Sequence, residues 1–173
     1  MSSLCFFVAK NVGRDLQLIP TTMGFLDNLK QEAQNLSNQV QTKASQFKNT
    51  DFANGCMAMC ALIASADGVV DSSERAKTAA LIGSNETLKI FSASDLKTKF
   101  DFYVDKINAD ADFGRIETIQ AIAKLKSKPD QARAVVQIGI VIGGADGNFD
   151  KNEMKAVRDA CLAAGLPPAD FDV

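Results

Sequence analysis

The chain has 173 residues, 46% of them hydrophobic and 23% charged, which is enough for one packed core and too short for two ordinary domains. Its net charge is −2, with 19 Lys and Arg against 21 Asp and Glu and no long basic block, so nucleic acid is not expected as a partner. It contains no histidine, which excludes serine–histidine and cysteine–histidine hydrolysis and zinc sites that mix cysteine with histidine.

The first 22 residues differ from the rest of the chain. They show no sustained helical pattern, and Pro20-Thr21-Thr22 interrupts the chain just before Met23. The apolar run from Leu4 to Ala9 is too short to cross a membrane and lacks the basic start of a signal peptide. We therefore predict a disordered extension over residues 1–22 and a single domain over residues 23–173. The protein is expected to be cytoplasmic and not inserted into a membrane.

The remainder is predicted to be helical throughout. Apolar residues recur every three or four positions from Phe25 to Phe47, which indicates one face of an amphipathic helix. The later helices are predicted over residues 51–66, from Asp71 to Ser84 or Asn85, from Ser92 onward, after Gly114, from Pro129 onward and over residues 150–164. The helix after Pro129 is apolar nearly all round over residues 132–142, so it is expected to be the most buried. The predicted fold is an all-α bundle of seven helices.

A short acidic sequence occurs twice in the chain, as ADGVVDSSE at residues 66–74 and as ADGNFDKNE at residues 145–153. We call these segments the first and second acidic loops. Both copies have Asp, Gly, Asp and Glu at the same offsets, and both lie between a buried helix and an amphipathic one. The sequence therefore predicts an internal repeat of two helix–loop–helix units. Because equivalent elements of a repeat tend to pair, the two loops are expected on the same side of the molecule.

The acidic residues have two interpretations. Asp71 with Glu74, like their counterparts in the second loop, match a helix capping box, in which each cap contributes about 1 kcal/mol. Capping leaves Asp67 and Asp146 unexplained, since a carboxylate at a helix C-terminus costs on the order of 0.3 to 1 kcal/mol unless a cation or loop amides offset it. The repetition favours a divalent cation, with Ca²⁺ preferred and Mg²⁺ as the alternative. The predicted ligands are Asp67, Asp71, Glu74, Asp146, Asp150 and Glu153.

The loops match only part of an EF-hand calcium loop. With Asp67 or Asp146 at position five, a glycine, an apolar residue, an aspartate and a glutamate fall at positions six, eight, nine and twelve. Positions one and three are Ile63 and Ser65 in the first copy and Ile142 and Gly144 in the second, so an EF-hand proper is excluded. One loop alone is expected to bind calcium weakly, at roughly 10⁻⁴ to 10⁻³ M, whereas six converging carboxylates would bind it more tightly.

The cysteines are too few and too scattered for a disulfide scaffold, since the chain has only four. Cys56 and Cys60 stand four positions apart, so they share one helix face. They are interpreted either as small core residues or as a thiol pair that binds a soft metal or reduces an oxyanion. Their apolar neighbours, and the lack of a nearby basic residue to lower a thiol pKa, favour the core. The exposure of the two sulfurs distinguishes these interpretations.

Several stretches resemble the TerB family of tellurite-resistance proteins. They are residues 52–77, residues 138–153, the closing GLPPADF at residues 165–171 and the start MGFLD at residues 23–27. The resemblance covers about residues 24–173. It implies a single seven-helix cytoplasmic domain that is not an enzyme and is associated with resistance to tellurite, phage and colicins. It also implies a metal-binding surface, which maps onto the six carboxylates named above, and a membrane-associated complex with other Ter proteins, including the integral-membrane protein TerC.

Two functions therefore remain open from the sequence. In the first, the protein is an adaptor whose acidic loops bind a divalent cation and whose surface docks partner proteins. In the second, Cys56 and Cys60 act on tellurium oxyanions.

Overall fold

Helices make up the fold over the residues that this computed structural model describes, namely Gln31 and residues 34–173. The described part of α1 covers residues 34–42. The other helices are α2 (Ala44–Phe47), α3 (Thr50–Ala64), α4 (Ser72–Ser84), α5 (Ala93–Ala109), α6 (Ala111–Ala123), α7 (Pro129–Gly143) and α8 (Lys151–Ala164). Short 3-10 turns occupy Glu86–Ile90, Gly144–Asp146 and Pro168–Phe171. No strand occurs within these residues, so the all-α prediction is confirmed.

The predicted first helix is interrupted in the structure. A turn at Lys43 divides it into α1 and α2, so the described chain has eight α-helices where seven were predicted. Leu36, Val40 and Phe47 are buried, as their spacing predicts. The earlier apolar positions Phe25, Leu29 and Ala33 and the predicted extension over residues 1–22 lie outside the described residues.

The centre of the fold is α3. Eleven of its 15 residues are buried, and it packs against α4, α5, α6, α7 and α8. The prediction that the helix after Pro129 would be the most buried is wrong, since α7 buries eight of its 15 residues. After Asp51, α3 carries no charged residue, whereas α7 turns the exposed Arg133 outward. Pro129 occupies the start of α7, as predicted.

A glycine allows α5 and α6 to pack closely. Gly114 was predicted to separate two helices, but it lies inside α6, which begins at Ala111 after the capping residue Asp110. A Cβ atom at Gly114 would lie 2.4 Å from the backbone carbonyl carbon of Lys106 in α5. The glycine therefore permits a helix contact that any side chain would block.

The buried helices are joined to amphipathic ones by the two acidic loops. The first loop connects α3 to α4 and the second connects α7 to α8, which is the predicted pair of helix–loop–helix units. α3 and α7 pack against each other, so the two loops start from adjacent helices. None of the helices in the described part of the chain combines the length and hydropathy needed to cross a membrane.

Candidate metal-binding site

Each acidic loop reaches its second helix through a glycine. Gly68 has a φ of 138° and Gly147 a φ of 86°, a backbone region that strongly favours glycine. Asp146 ends the 3-10 turn Gly144–Asp146, close to the predicted end of a helix. Asp67 lies beyond Ser65, the C-cap of α3. The prediction that Asp67 lies in the last turn of this helix is therefore wrong.

Capping boxes begin α4 and α8, as the sequence predicts. In the first loop, Asp71 Oδ1 accepts hydrogen bonds from the backbone N–H groups of Ser73 at 2.7 Å and Glu74 at 2.9 Å. The Asp71 N–H donates to Glu74 Oε2 at 3.0 Å. Asp150 and Glu153 form the same box in the second loop, where the Asp150 N–H donates to Glu153 Oε2 at 2.8 Å. The capping interpretation is therefore correct for these four residues. A loop amide offsets Asp146, whose Oδ1 accepts from the Asn148 N–H at 2.9 Å, so capping and loop amides leave Asp67 unexplained.

The first loop is also held by a residue of another helix. Asn108 of α5 accepts from the Val70 N–H at 3.1 Å and donates to the Val70 carbonyl oxygen at 3.0 Å. The Val70 side chain is buried, as is Phe149 at the equivalent position of the second loop. Sequence reasoning missed Asn108, because nothing in the local pattern of α5 indicates that this amide faces a distant loop.

The two loops meet on one side of the molecule. Asn152 Nδ2, from the second loop, donates to Asp67 Oδ1 of the first loop at 2.8 Å. The expected placement of the loops is therefore confirmed. Asn152 is a second residue that the sequence reasoning missed, and Ser73 stands at the corresponding place in the first loop.

Part of the acidic set lines a cleft of about 290 Å³. Its acidic residues are Glu74 from the first unit and Asp146 and Glu153 from the second. The lining also includes the basic residue Lys77 and the apolar residues Ile63, Leu81 and Ile142. Asp67, Asp71 and Asp150 lie outside this lining, although Asp67 is tied to the second loop through Asn152.

The carboxylates of the acidic loops form no ion pair with a described Lys or Arg, although Lys77 lines the same cleft and Lys151 lies in the second loop. Seven other described carboxylates pair with Lys or Arg, whereas none of the ion pairs between described residues includes any of the six predicted ligands. Five described carboxylates outside the loops also lack such a pair. Burial raises the pKa of Glu153, and the negative charges of Asp150, Asp146 and Asp67 raise it further. Hydrogen bonds from the backbone N–H groups of Glu153 and Asn152 lower the pKa of Asp150. A cation would relieve the repulsion around Glu153.

The carboxylates are of the chemical type that binds a divalent cation, but their side chains are not arranged around a single point. The hydrogen bonds described above use one oxygen of each carboxylate. Hard divalent cations prefer such oxygen ligands. Among the described residues, however, no three Cys, Asp or Glu side chains are grouped closely enough to hold a metal ion as they stand. Coordination therefore requires these side chains to rotate toward one another.

The three cysteines in the described part of the chain lie in the core. Cys56, Cys60 and Cys161 are all buried and unpaired. Burial raises the pKa of Cys60 to about 12 and the pKa of Cys56 well above its ordinary value, so both remain protonated at neutral pH. Cys60 lines the acidic cleft but is only 2% exposed. Since the acidic walls also repel anions, this placement counts against chemistry on an oxyanion.

Over the described residues, the fold and the site define a class of protein: an all-helical domain with two repeated acidic loops at the ends of adjacent helices. The family model described as tellurite resistance protein TerB matches residues 53–173. A tellurium resistance protein TerB from Alcaligenes sp. is 30% identical over 118 residues, which is 68% of this chain and 97% of that protein. The chain therefore belongs to the TerB family.

The match to the family model starts at residue 53, whereas the predicted domain starts at Met23, so that boundary stays a prediction. No solved structure gives a significant match to this chain.

Proposed function

We propose that this protein serves tellurite resistance as a non-enzymatic adaptor that binds a divalent cation through its two acidic loops. The observation that carries the proposal is the meeting of the two loops through Asn152 and Asp67, in a group of carboxylates that has no Lys or Arg partner among the described residues. Helix capping does not require the two loops to meet, whereas binding of one cation by both loops does.

Calcium is the preferred ion because of the ligand geometry. Magnesium demands near-ideal octahedral coordination, whereas calcium accepts six to eight oxygens in flexible arrangements. The six carboxylates are held by two separate helix ends and have to rotate to coordinate. Calcium tolerates this irregularity better, so it is the ion expected to bind more tightly.

The adaptor part of the proposal concerns other Ter proteins. The integral-membrane protein TerC is the expected partner, as the resemblance to the TerB family implies. In this proposal the protein works in the cytoplasm and reaches the membrane through that partner.

A calcium titration followed residue by residue by NMR tests the cation part. Backbone amides of residues 66–74 and 145–153 are expected to shift, and the paired change Asp67→Asn with Asp146→Asn should abolish these shifts. Calcium at about 100 times its Kd should also stabilise the unmodified protein by roughly 2.7 kcal/mol, since it binds only the folded state.

The matched control is Asp130→Asn with Asp172→Asn, which removes two exposed charges outside the loops. This control should respond to calcium as the unmodified protein does. Unchanged spectra and unchanged melting of the unmodified protein in millimolar calcium and in millimolar magnesium would leave the loops as helix caps alone.

A further inference from the structure

One helix beside the cleft is poorly covered by the rest of the fold. Of the 13 residues of α4, only Ile82 is buried. The side of α4 that lines the cleft carries Glu74, Lys77, Thr78 and Leu81, which lie on one face at helical spacing. Leu81 is 38% exposed. This face therefore presents a carboxylate and an apolar side chain to the cleft, with little packed against them.

The other residues of the cleft repeat this combination of charge and apolar surface. Ile63 from the end of α3 and Ile142 from the end of α7 form a buried apolar floor. Asp146 and Glu153 of the second loop provide two more carboxylates. Lys77 is the only basic residue among the lining residues of the described chain, so negative charge is in excess. The volume of about 290 Å³ lies at the lower limit for small-molecule pockets and suits a few side chains of a larger ligand.

We propose that this cleft docks a basic amphipathic helix of a partner protein. An aliphatic side chain of that helix would contact Leu81, and its Lys or Arg residues would pair with Glu74 and Glu153. Charge complementarity selects this occupant, because the excess negative charge repels nucleic acid and anionic lipid. Helices that combine apolar anchors with flanking charge are a recurrent ligand for such grooves. The docking rests on the adaptor part of the proposed function and is independent of cation binding.

Fluorescence anisotropy with the full chain in EDTA tests the docking without any contribution from a cation. The probe is a labelled peptide of repeating Leu-Ala-Lys-Lys, about 16 residues long. We expect it to bind, a version with Glu in place of Lys not to bind, and a version with Ser in place of Leu to bind more weakly. Equal binding of the Leu and Ser peptides would overturn the apolar half of the proposal.

Protein variants then locate the binding. Glu74→Gln with Glu153→Gln should weaken peptide binding by roughly tenfold, and both helices should stay capped because glutamine also completes a capping box. The control Glu86→Gln with Glu117→Gln removes the same charge elsewhere and should change affinity little. Leu81→Ser should weaken binding by roughly fivefold, whereas Leu162→Ser, at a side chain that is 62% exposed on α8, should not.

Four results would overturn the docking proposal. Equal losses in the cleft variants and their controls would mean attraction to net charge alone. Sedimentation showing self-association that Leu81→Ser abolishes would identify a second copy as the occupant. Peptide binding that appears only after deletion of residues 2–22 would identify this chain's own leading segment. Calcium binding without peptide binding would refute the docking and leave the cation function standing. Peptide binding without calcium binding would refute the cation function and leave the docking standing.

Discussion

At the scale of single residues, Asn108 shows how one side chain fixes a loop. Both ends of its amide are used, since it accepts from the Val70 N–H and donates to the Val70 carbonyl oxygen. Val70 itself is 3% exposed, so its backbone groups have little access to water as an alternative partner. Removing the amide would leave two partly buried polar groups without their hydrogen bonds.

Asn108→Ala is therefore expected to destabilise the fold by about 1 to 3 kcal/mol. The loss should be concentrated in the first acidic loop, with faster hydrogen exchange at the Val70 amide. Asn108→Asp keeps the acceptor and loses the donor, so it should retain protection of that amide. If Asn108→Ala left both the stability and the exchange of Val70 unchanged, the amide would have no positioning role.

The buried thiols lead to a second prediction at this scale. Cys56→Ala with Cys60→Ala removes two small buried groups, and this should cost roughly 1 to 3 kcal/mol in total. Cells carrying the variant should retain tellurite resistance wherever the protein folds, because the thiols are protonated and shielded. Resistance and soluble abundance are measured together. Full sensitivity to tellurite at normal abundance of folded protein would instead establish the thiol function.

At the scale of elements, helix contacts depend on residues whose sequence signal is ambiguous. The sequence predicts a helix break at Gly114, because glycine commonly ends helices. In the structure it is buried within α6, where the backbone of α5 leaves no room for a Cβ atom. By contrast, Gly83 near the end of α4 has nothing within 4 Å of such an atom. The same residue type thus has a packing role in one helix and none in the other.

Alanine substitution should separate these two glycines. Gly114→Ala is expected to destabilise the protein by about 1 to 3 kcal/mol through overpacking against α5. Gly83→Ala should stabilise it by about 0.5 to 1 kcal/mol, because alanine is the better helix former and meets no neighbour. Urea unfolding of both variants measures the difference. Similar effects of the two changes would refute the close approach of α5 and α6.

The sequence predicted the helices well because their apolar spacing, caps and Pro129 are local signals. It also located the acidic loops, since the repeat is visible without any structure. Asn108 and Asn152 could not be predicted, because each acts on a residue far away in the chain and no local pattern marks such an amide. The central position of α3 was missed for a related reason. Burial depends on which helices pack together, and that is decided by the tertiary fold.

At the scale of the whole molecule, the acidic loops link stability to pH in two opposite ways. The pKa of Glu153 is raised above its ordinary value of 4.5, so the folded state binds this proton more tightly than the unfolded state does. The charged form of Glu153 therefore destabilises the folded state at neutral pH. The pKa of Asp150 is lowered below 3.8, so Asp150 contributes stability above that pH and loses it as the pH falls through the lowered pKa.

Glu153→Gln tests the first of these effects. Relative to the variant, the unmodified protein should gain stability as the pH falls through the raised pKa of Glu153 toward 4.5, because the folded state takes up the proton first. The difference should be constant well above that window. Unfolding free energies of both proteins, measured against pH in EDTA, provide the comparison. A difference that does not vary with pH would show that Glu153 has the same pKa in both states.

The sparse burial of α4 has a consequence for motion. A helix anchored by one buried side chain, Ile82, and by the ion pairs of Arg75 with Asp101 and Asp105 can detach at low free energy while the core around α3 stays closed. Glu74 belongs to α4, so one wall of the acidic cleft would leave with it. Any ligand that joins Glu74 to the second loop would then suppress this local opening, and occupancy of the cleft would be recorded as slower hydrogen exchange along the whole of α4.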